Sequence, residues 1–377
     1  MKKRMYALAM LIGTAVGVGM FGLPYVTAQF GFFPTLVIFG LLAVVNIIYQ
    51  LIYGEICLRT VESHRLPGYA EKYLGAKAKR VLVVTNIISL YGALLAYIVV
   101  GGQFFADLLT PWLGGPVIAY ILIYFAVASF IIYFGRTFIA QSEIFSLSVF
   151  TAAILFLFYM AGPYIALDNF LTFNLKNIIF PYGVILFALS AQSIIPEIRE
   201  TLSGQEPSFK KIIYAGTIMP SIIYILFIIL VLGVTGQATT PDALTGLGQT
   251  LGQKIIIAAF IFGVLTPFTS YLTVGLTLKK IYIYDLQFNH FTAWIMATFV
   301  PLLFYFVGIQ NFIKIISFSA AATAMIEGVL TYLIYLKAKT TGNRRPEFNL
   351  PFNKLMLYPL GSLFVLGFIA TIFALIK

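Results

Sequence analysis

Residues 13–25 read GTAVGVGMFGLPY and set Gly13, Gly17, Gly19, Gly22 and Pro24 inside the first apolar stretch of the chain. Each glycine costs a helix interior roughly 0.5–1 kcal/mol relative to Ala, and a proline removes a backbone donor and forbids an ordinary turn. Such residues open backbone chemistry. Where the helix unwinds, freed amides and the positive end of the next half-helix hold a carboxylate, and freed carbonyls hold a cation. A second interruption, in PYGVILFALSAQSIIPEIRE, puts Ser190, Gln192 and Ser193 into an apolar run and follows them with Pro196. The plainer alternative for Gly13, Gly17 and Gly19 is close helix packing. A nucleotide-binding reading of GVGMFG fails, because no strand-helix-strand context surrounds it.

The elements that must position these residues follow from composition. Of 377 residues, 60% are hydrophobic and 10% charged, against roughly 25% charged in soluble domains, so the chain is an integral membrane protein. Runs long enough to span, about 20 residues each, fall near 5–29, 34–57, 81–108, 116–134, 138–161, 178–200, 211–234, 255–278, 291–308, 311–336 and 355–376. That predicts eleven spans. None shows the alternation of a membrane barrel, so the fold class is all-α. The first run follows Lys2-Lys3-Arg4 but exceeds a signal peptide's apolar length and lacks a cleavage site, so it reads as a mature span.

The net charge of +11 reports topology. With the N-terminus inside, 20 of the 24 Lys and Arg residues fall in cytoplasmic segments and only Lys176, Lys254, Lys314 and Lys377 fall opposite, a positive-inside pattern that argues for the cell membrane and against a nucleic-acid partner. Eleven spans then put the C-terminus outside. The single Cys57 and the two histidines, His64 and His290, point to no disulfide and no metal cluster. The loop at 61–80 suits a short amphipathic surface helix, and the Gly/Thr-rich loop at 235–253 suits a lid. Glu55, Glu143 and Glu197 lie near the cytoplasmic ends of spans, where structural or gating pairs with arginines are expected, and Asp107 lies near the outer end of span 3. Glu327 lies deep in span 10, which makes it the candidate proton carrier; a bond to a neighbouring hydroxyl is the alternative.

The two interruptions are related. Gly17 and Ser190 stand 173 positions apart, and the starts of spans 3 and 8, and of spans 5 and 10, recur at that offset. Spans 1–5 (about 5–161) and 6–10 (about 178–336) therefore read as two repeats. With five spans each they must lie inverted, and paired broken segments in inverted halves mark a secondary transporter's substrate site. Residues 1–340 form the core; 341–377 add a cytoplasmic loop and the eleventh helix.

GTAVGVGMFGLPY, FALSAQSIIPEIRETL, LTPFTSYLTVGLTLKK, and GYAEKYLGAKAKR leading into LLAYIVVGGQF together resemble the amino acid/auxin permeases and their relatives the aromatic amino acid permeases, which share the LeuT fold, a 5+5 inverted repeat with helices 1 and 6 broken. The resemblance spans roughly residues 1–340. It implies that the substrate carboxylate meets the amides of Gly17, Val18 and Gly19 under Tyr97. The ammonium meets carbonyls near Ala15, Phe187 and Ala188 with the Ser190 hydroxyl close by, and Leu189, Gln192 and Ser193 shape the side-chain pocket. Phe21 and Phe187 help to close it. Span 8 supplies Thr266, Thr269 and Ser270, which at i, i+3 and i+4 share one helix face. With the carbonyls of Gly13 and Val16 they match the fold's second sodium site; back-bonding of the hydroxyls to their own helix is the alternative. Met20 stands where a two-sodium relative has an oxygen ligand, and span 5 lacks the lysine of some proton-coupled relatives.

These features predict a transporter that moves a neutral amino acid by alternating access with Na+ as coupling ion, or H+, and with no organic cofactor. An uncoupled uniporter or exchanger is the alternative. No acidic ring or filter sequence suggests a channel, and no catalytic set suggests an enzyme.

Overall fold

A computed structural model of the chain describes residues 2–134 and 152–376. Its elements are α1 (Lys2–Ala15), α2 (Gly19–Phe30), α3 (Phe32–Arg59), α4 (Leu66–Leu74), α5 (Ala76–Leu113), α6 (Val117–Phe134), α7 (Ala152–Tyr164), α8 (Phe180–Leu189), α9 (Ile195–Thr201), α10 (Phe209–Thr235), α11 (Leu244–Leu251), α12 (Gln253–Tyr284), α13 (His290–Phe306), α14 (Phe312–Thr341) and α15 (Leu357–Ile376). No strand occurs among the described residues beyond an isolated bridge between Gly31 and Phe173. The fold is all-helical.

Eight spans among the described residues are long and apolar enough to cross a membrane, and α1 with α2, bent by 51° at their break, makes a ninth. The shorter apolar helices α7 and α13 stand where the fifth and ninth predicted spans fall. Arg136, Glu143 and the first part of that fifth span lie outside the described residues. The loop at 61–80 contains α4, as its amphipathic pattern leads one to expect, and α5 is longer than predicted at both ends.

The two broken helices lie against one another. Helix α2 packs on α8 and α10, α1 on α10 and α9, and α5 on both α12 and α14, and the first break approaches Tyr97 of α5 and Ser270 of α12. The basic ends of the helices are tied together: Lys3 donates to the Ser203 carbonyl at 2.8 Å, Arg199 to the Val61 carbonyl at 3.0 Å, and Arg344 to the Leu58 carbonyl at 2.8 Å, while Arg65 pairs with Glu197. At the opposite face the end of α2 is held by the preceding loop of the second half, where Asn174 N donates to the Phe30 carbonyl at 2.9 Å and Asn177 to that of Gln29 at 2.9 Å. Gly31 permits this contact: its φ of +128° is closed to most L side chains, and a Cβ there would stand 2.5 Å from the Thr172 carbonyl.

One expectation shifts in detail. The first break falls at residues 16–18, upstream of Pro24, which lies inside α2. The proline lacks the N–H that would bond four residues back, yet the helix has already restarted before it.

Candidate functional site

At a break every backbone donor and acceptor that leaves the helix needs a partner. In span 1 the last regular bond runs from Val16 N to the Ile12 carbonyl at 2.8 Å, and the chain restarts with tight turns from Met20 N to the Gly17 carbonyl at 3.3 Å and from Phe21 N to that of Val18 at 3.1 Å. Among the described residues no backbone carbonyl accepts from the amides of Gly17, Val18 or Gly19, and no backbone amide donates to the carbonyls of Gly13 or Val16. The amides stand at the positive start of α2 and the carbonyls at the negative end of α1, the polarity suited to an anion and a cation respectively.

In span 6 the helix ends at Leu189, where Ser190 turns extended at ψ 106°, and restarts through a turn at Gln192–Ile194. Here side chains of the protein itself take up the freed carbonyls. The Tyr224 hydroxyl from α10 lies 3.0 Å from the Ala188 carbonyl and 2.5 Å from the Ala15 carbonyl of span 1. The Asn46 amide from α3 donates to the Leu189 carbonyl at 2.8 Å, the Ser190 hydroxyl donates back to the Leu186 carbonyl at 2.7 Å, and Ser190 N reaches the Phe187 carbonyl at 3.2 Å. Of the carbonyls expected to meet an ammonium, that of Phe187 thus has a donor of its own, while those of Ala15 and Ala188 share the one proton of Tyr224.

Several predicted residues are brought together. A Cβ built on Gly19 would lie 2.8 Å from both Ala188 Cα and Phe187 Cδ1, so the breaks touch backbone to backbone. A Cβ on Gly17 would meet Ser270 Oγ at 3.5 Å and the Tyr97 hydroxyl at 3.8 Å, and those two hydroxyls are hydrogen-bonded to each other. Gly17, Gly19, Tyr97, Phe187, Ala188 and Ser270 are therefore one cluster. Ala15, Val16, Val18, Leu189 and Thr266 are buried around it. Gln192, in the restarting turn, has a buried Oε1 with no hydrogen-bond partner.

Of the span 8 hydroxyls, that of Ser270 is the one placed against the first break, at Gly17. Thr269 directs its hydroxyl back to the carbonyls of Leu265 and Thr266, both at 3.2 Å, the back-bonding that the sequence offered as the alternative. The predicted set of carbonyls and hydroxyls contains no carboxylate, which is the donor chemistry of a hard monovalent ion. Among the described residues no group of three His, Cys, Asp or Glu side chains is placed to hold a metal.

Phe21, Ser193 and Glu327 have other surroundings. Phe21 is fully buried in a cluster with Phe104, Phe227 and Phe262, at centroid distances of 5.2, 6.0 and 5.6 Å. Phe104 and Leu244 of α11 both lie against Gly263. Ser193 is exposed. Glu327 is buried beside Tyr49, whose hydroxyl bonds Thr331 at 3.0 Å, next to a small cavity lined by Tyr49, Gly328 and Phe364; its Oε1 has no partner. Glu55 and Glu197 are paired with Arg59 and Arg65, as expected near span ends.

Sequence reasoning missed Tyr224 and Asn46. Both are polar side chains within apolar runs, IIYILF and AVVNIIY, and a membrane-buried amide or phenol needs a partner just as an ionised group does. That need was the available signal.

The chain is similar to known proteins over nearly its whole length. The tryptophan/tyrosine permease family description matches residues 1–374. The tyrosine-specific transport system 1 of Haemophilus influenzae is 28% identical over 374 residues, covering 93% of this chain and 91% of that protein. Glutamine transporter 2 of Aliivibrio fischeri is 23% identical over 328 residues, 82% of each. Among solved structures, inward-facing Mhp1, a nucleobase-cation-symport-1 family transporter, superposes with a TM-score of 0.70 at 15% identity over 98% of this chain and 88% of that one. The Eremococcus coleocola manganese transporter gives 0.68 at 10% identity, covering 99% and 86%. At those identities the structures speak for the fold, which is the LeuT fold. The expected likeness to amino acid permeases thus holds, with the match on the aromatic side of that resemblance: this chain belongs to the tryptophan/tyrosine permease family, a family of membrane transporters and not of enzymes.

Proposed function

We propose that this permease carries a neutral amino acid, with tyrosine the first to test, into the cell together with one sodium ion, its basic face and N-terminus lying in the cytoplasm. The tyrosine and glutamine transporters among its relatives support a neutral amino acid and, through tyrosine, a side chain of aromatic size. The observation that carries the reading is the contrast at the breaks: the amides of Gly17, Val18 and Gly19 and the carbonyls of Gly13 and Val16 are uncommitted, while the carbonyls of span 6 have donors. A carboxylate on the amides and a cation on the carbonyls would complete the first break. Because they meet on opposite sides of one three-residue link, each favours the chain geometry that suits the other, and that shared preference is what coupling means energetically.

The test is uptake of labelled tyrosine into proteoliposomes under an inward sodium gradient, an inward proton gradient or none. Sodium-driven accumulation is expected, and making both Thr269→Ala and Ser270→Ala lowers it about tenfold, the scale of a typical coupling free energy. Uptake that ignores both gradients and both substitutions would sink symport in favour of a uniporter or exchanger. A second reading, proton coupling through Glu327, is favoured by its buried, unpartnered Oε1. It would be selected by accumulation that follows the proton gradient alone and is lost in Glu327→Gln.

A further inference from the structure

We infer that Tyr224 positions the two backbone carbonyls that receive the substrate's amino group, and so sets recognition of that group from a span outside both broken helices. The inference rests on the amino acid reading above. Tyr224 is fully buried on α10 with its ring edge-on to Phe39 of α3 at 6.4 Å. Its hydroxyl is 2.5 Å from the Ala15 carbonyl and 3.0 Å from the Ala188 carbonyl. One side chain therefore bridges the end of α1 and the end of α8, and it holds the two carbonyls close enough to share a single donor atom.

Donor arithmetic gives the arrangement its use. A phenol has one proton, and two carbonyls freed from their helices each call for a donor. Whichever carbonyl the hydroxyl serves, the other is one donor short. An ammonium brings three N–H groups and can serve both, with the Tyr224 oxygen left as a further acceptor. The location also suits an α-amino acid, whose amino and carboxylate groups hang from one carbon. Ala15 lies two residues before the uncommitted amide of Gly17, and Ala188 is in contact with Gly19. Groups that bind the two ends of such a molecule must be neighbours, and these are.

The experiment compares tyrosine uptake kinetics of the full-length protein in proteoliposomes with those of Tyr224→Phe and of Thr217→Val. The second variant removes another hydroxyl of α10, which bonds Gln50 of α3 at 3.1 Å. Tyr224→Phe is expected to raise KM about tenfold, the usual effect of a lost hydrogen bond near a charged group, with the maximal rate within about twofold; Thr217→Val should move neither. An unchanged KM in Tyr224→Phe, or a loss confined to the maximal rate, overturns the inference, as does an equal KM rise in Thr217→Val. A measurement that keeps the native fold runs beside it: with 3-fluorotyrosine at position 224, the fluorine resonance should move on saturation with tyrosine and stay in place with 3-(4-hydroxyphenyl)propionate, which lacks the amino group. Equal shifts with both, or none with tyrosine, overturn it. Failure of the wild-type protein to take up tyrosine would instead defeat the proposed function.

Discussion

The two helix breaks are built from similar interruptions and finished differently. At the first, three successive amides and two carbonyls are left for something that is not backbone; at the second, Tyr224, Asn46 and Ser190 take up the carbonyls that the break frees. The first break is glycine-rich, so little stands between its backbone and a ligand, and it faces Tyr97 and Ser270. The second carries side chains and is braced by α3 and α10. The difference teaches that unwinding alone does not leave a backbone group open. A group stays open where the protein withholds its own partner.

The sharpest way to break this comparison is to crowd the seam where the two breaks touch. In Gly19→Ala the new methyl would stand 2.8 Å from Ala188 Cα and 3.0 Å from Ala188 N, and backbone cannot rotate away as a side chain can. Overpacking strain of about 1–3 kcal/mol would separate the breaks, and tyrosine uptake should fall roughly 5- to 150-fold. Gly17→Ala places its methyl at 3.5 and 3.8 Å from two hydroxyls, which is ordinary contact, so the fold is retained and uptake falls less. If Gly17→Ala proved the more damaging of the two, the seam would not be what holds the site together.

A smaller effect separates bracing from binding. Asn46→Leu leaves the buried Leu189 carbonyl without this donor, a loss of about 1 kcal/mol in stability. The melting temperature in detergent should drop while the KM for tyrosine holds. A raised KM at an unchanged melting temperature would mean that the Leu189 carbonyl, and not that of Ala188 alone, serves the substrate.

Much of this arrangement is legible in the sequence, for a physical reason. Gly17 and Gly19 declare the first break because glycine in an apolar helix is costly and so needs a purpose, and Ser190 and Gln192 mark the second because polar groups in an apolar run need partners. Thr266, Thr269 and Ser270 share a face by helical spacing alone. The braces are not legible in that way. Asn46 and Leu189 lie 143 positions apart and Tyr224 and Ala15 lie 209 apart, so each pairing exists only once the helices are packed. Phe21 also illustrates the limit: an aromatic ring beside a break fits a ligand pocket or a core equally well, and its contacts with Phe104, Phe227 and Phe262 arise only on packing. Pro24 misleads in the other direction, since the glycines before it release the helix first.

The weakest brace lies at the basic face, where Arg199 of α9 donates to the carbonyls of Val61 and Glu62. Glu62 in turn holds Lys72 and Asn343 through its carboxylate, and the hydrogen bond from Lys72 is the main reason its pKa is lowered from 4.5 to about 2. A carboxyl whose pKa is depressed by folding lends stability that is fully present above the unfolded value and lost as pH falls through the folded one. The window here runs from 4.5 down to about 2. The group is solvent-exposed, so water and salt screen the pair, and the effect should be the smallest of these. Glu62→Gln should therefore melt slightly below the wild-type protein at neutral pH in low salt, and the gap should close as pH falls below 4.5. Tyrosine uptake at neutral pH should stay within about twofold of wild type, as expected for a weak surface pair. Should Glu62→Gln instead abolish uptake at neutral pH, the hold of Arg199 on this loop would belong to the transport cycle, and the second break would be braced by a contact that the cycle must release.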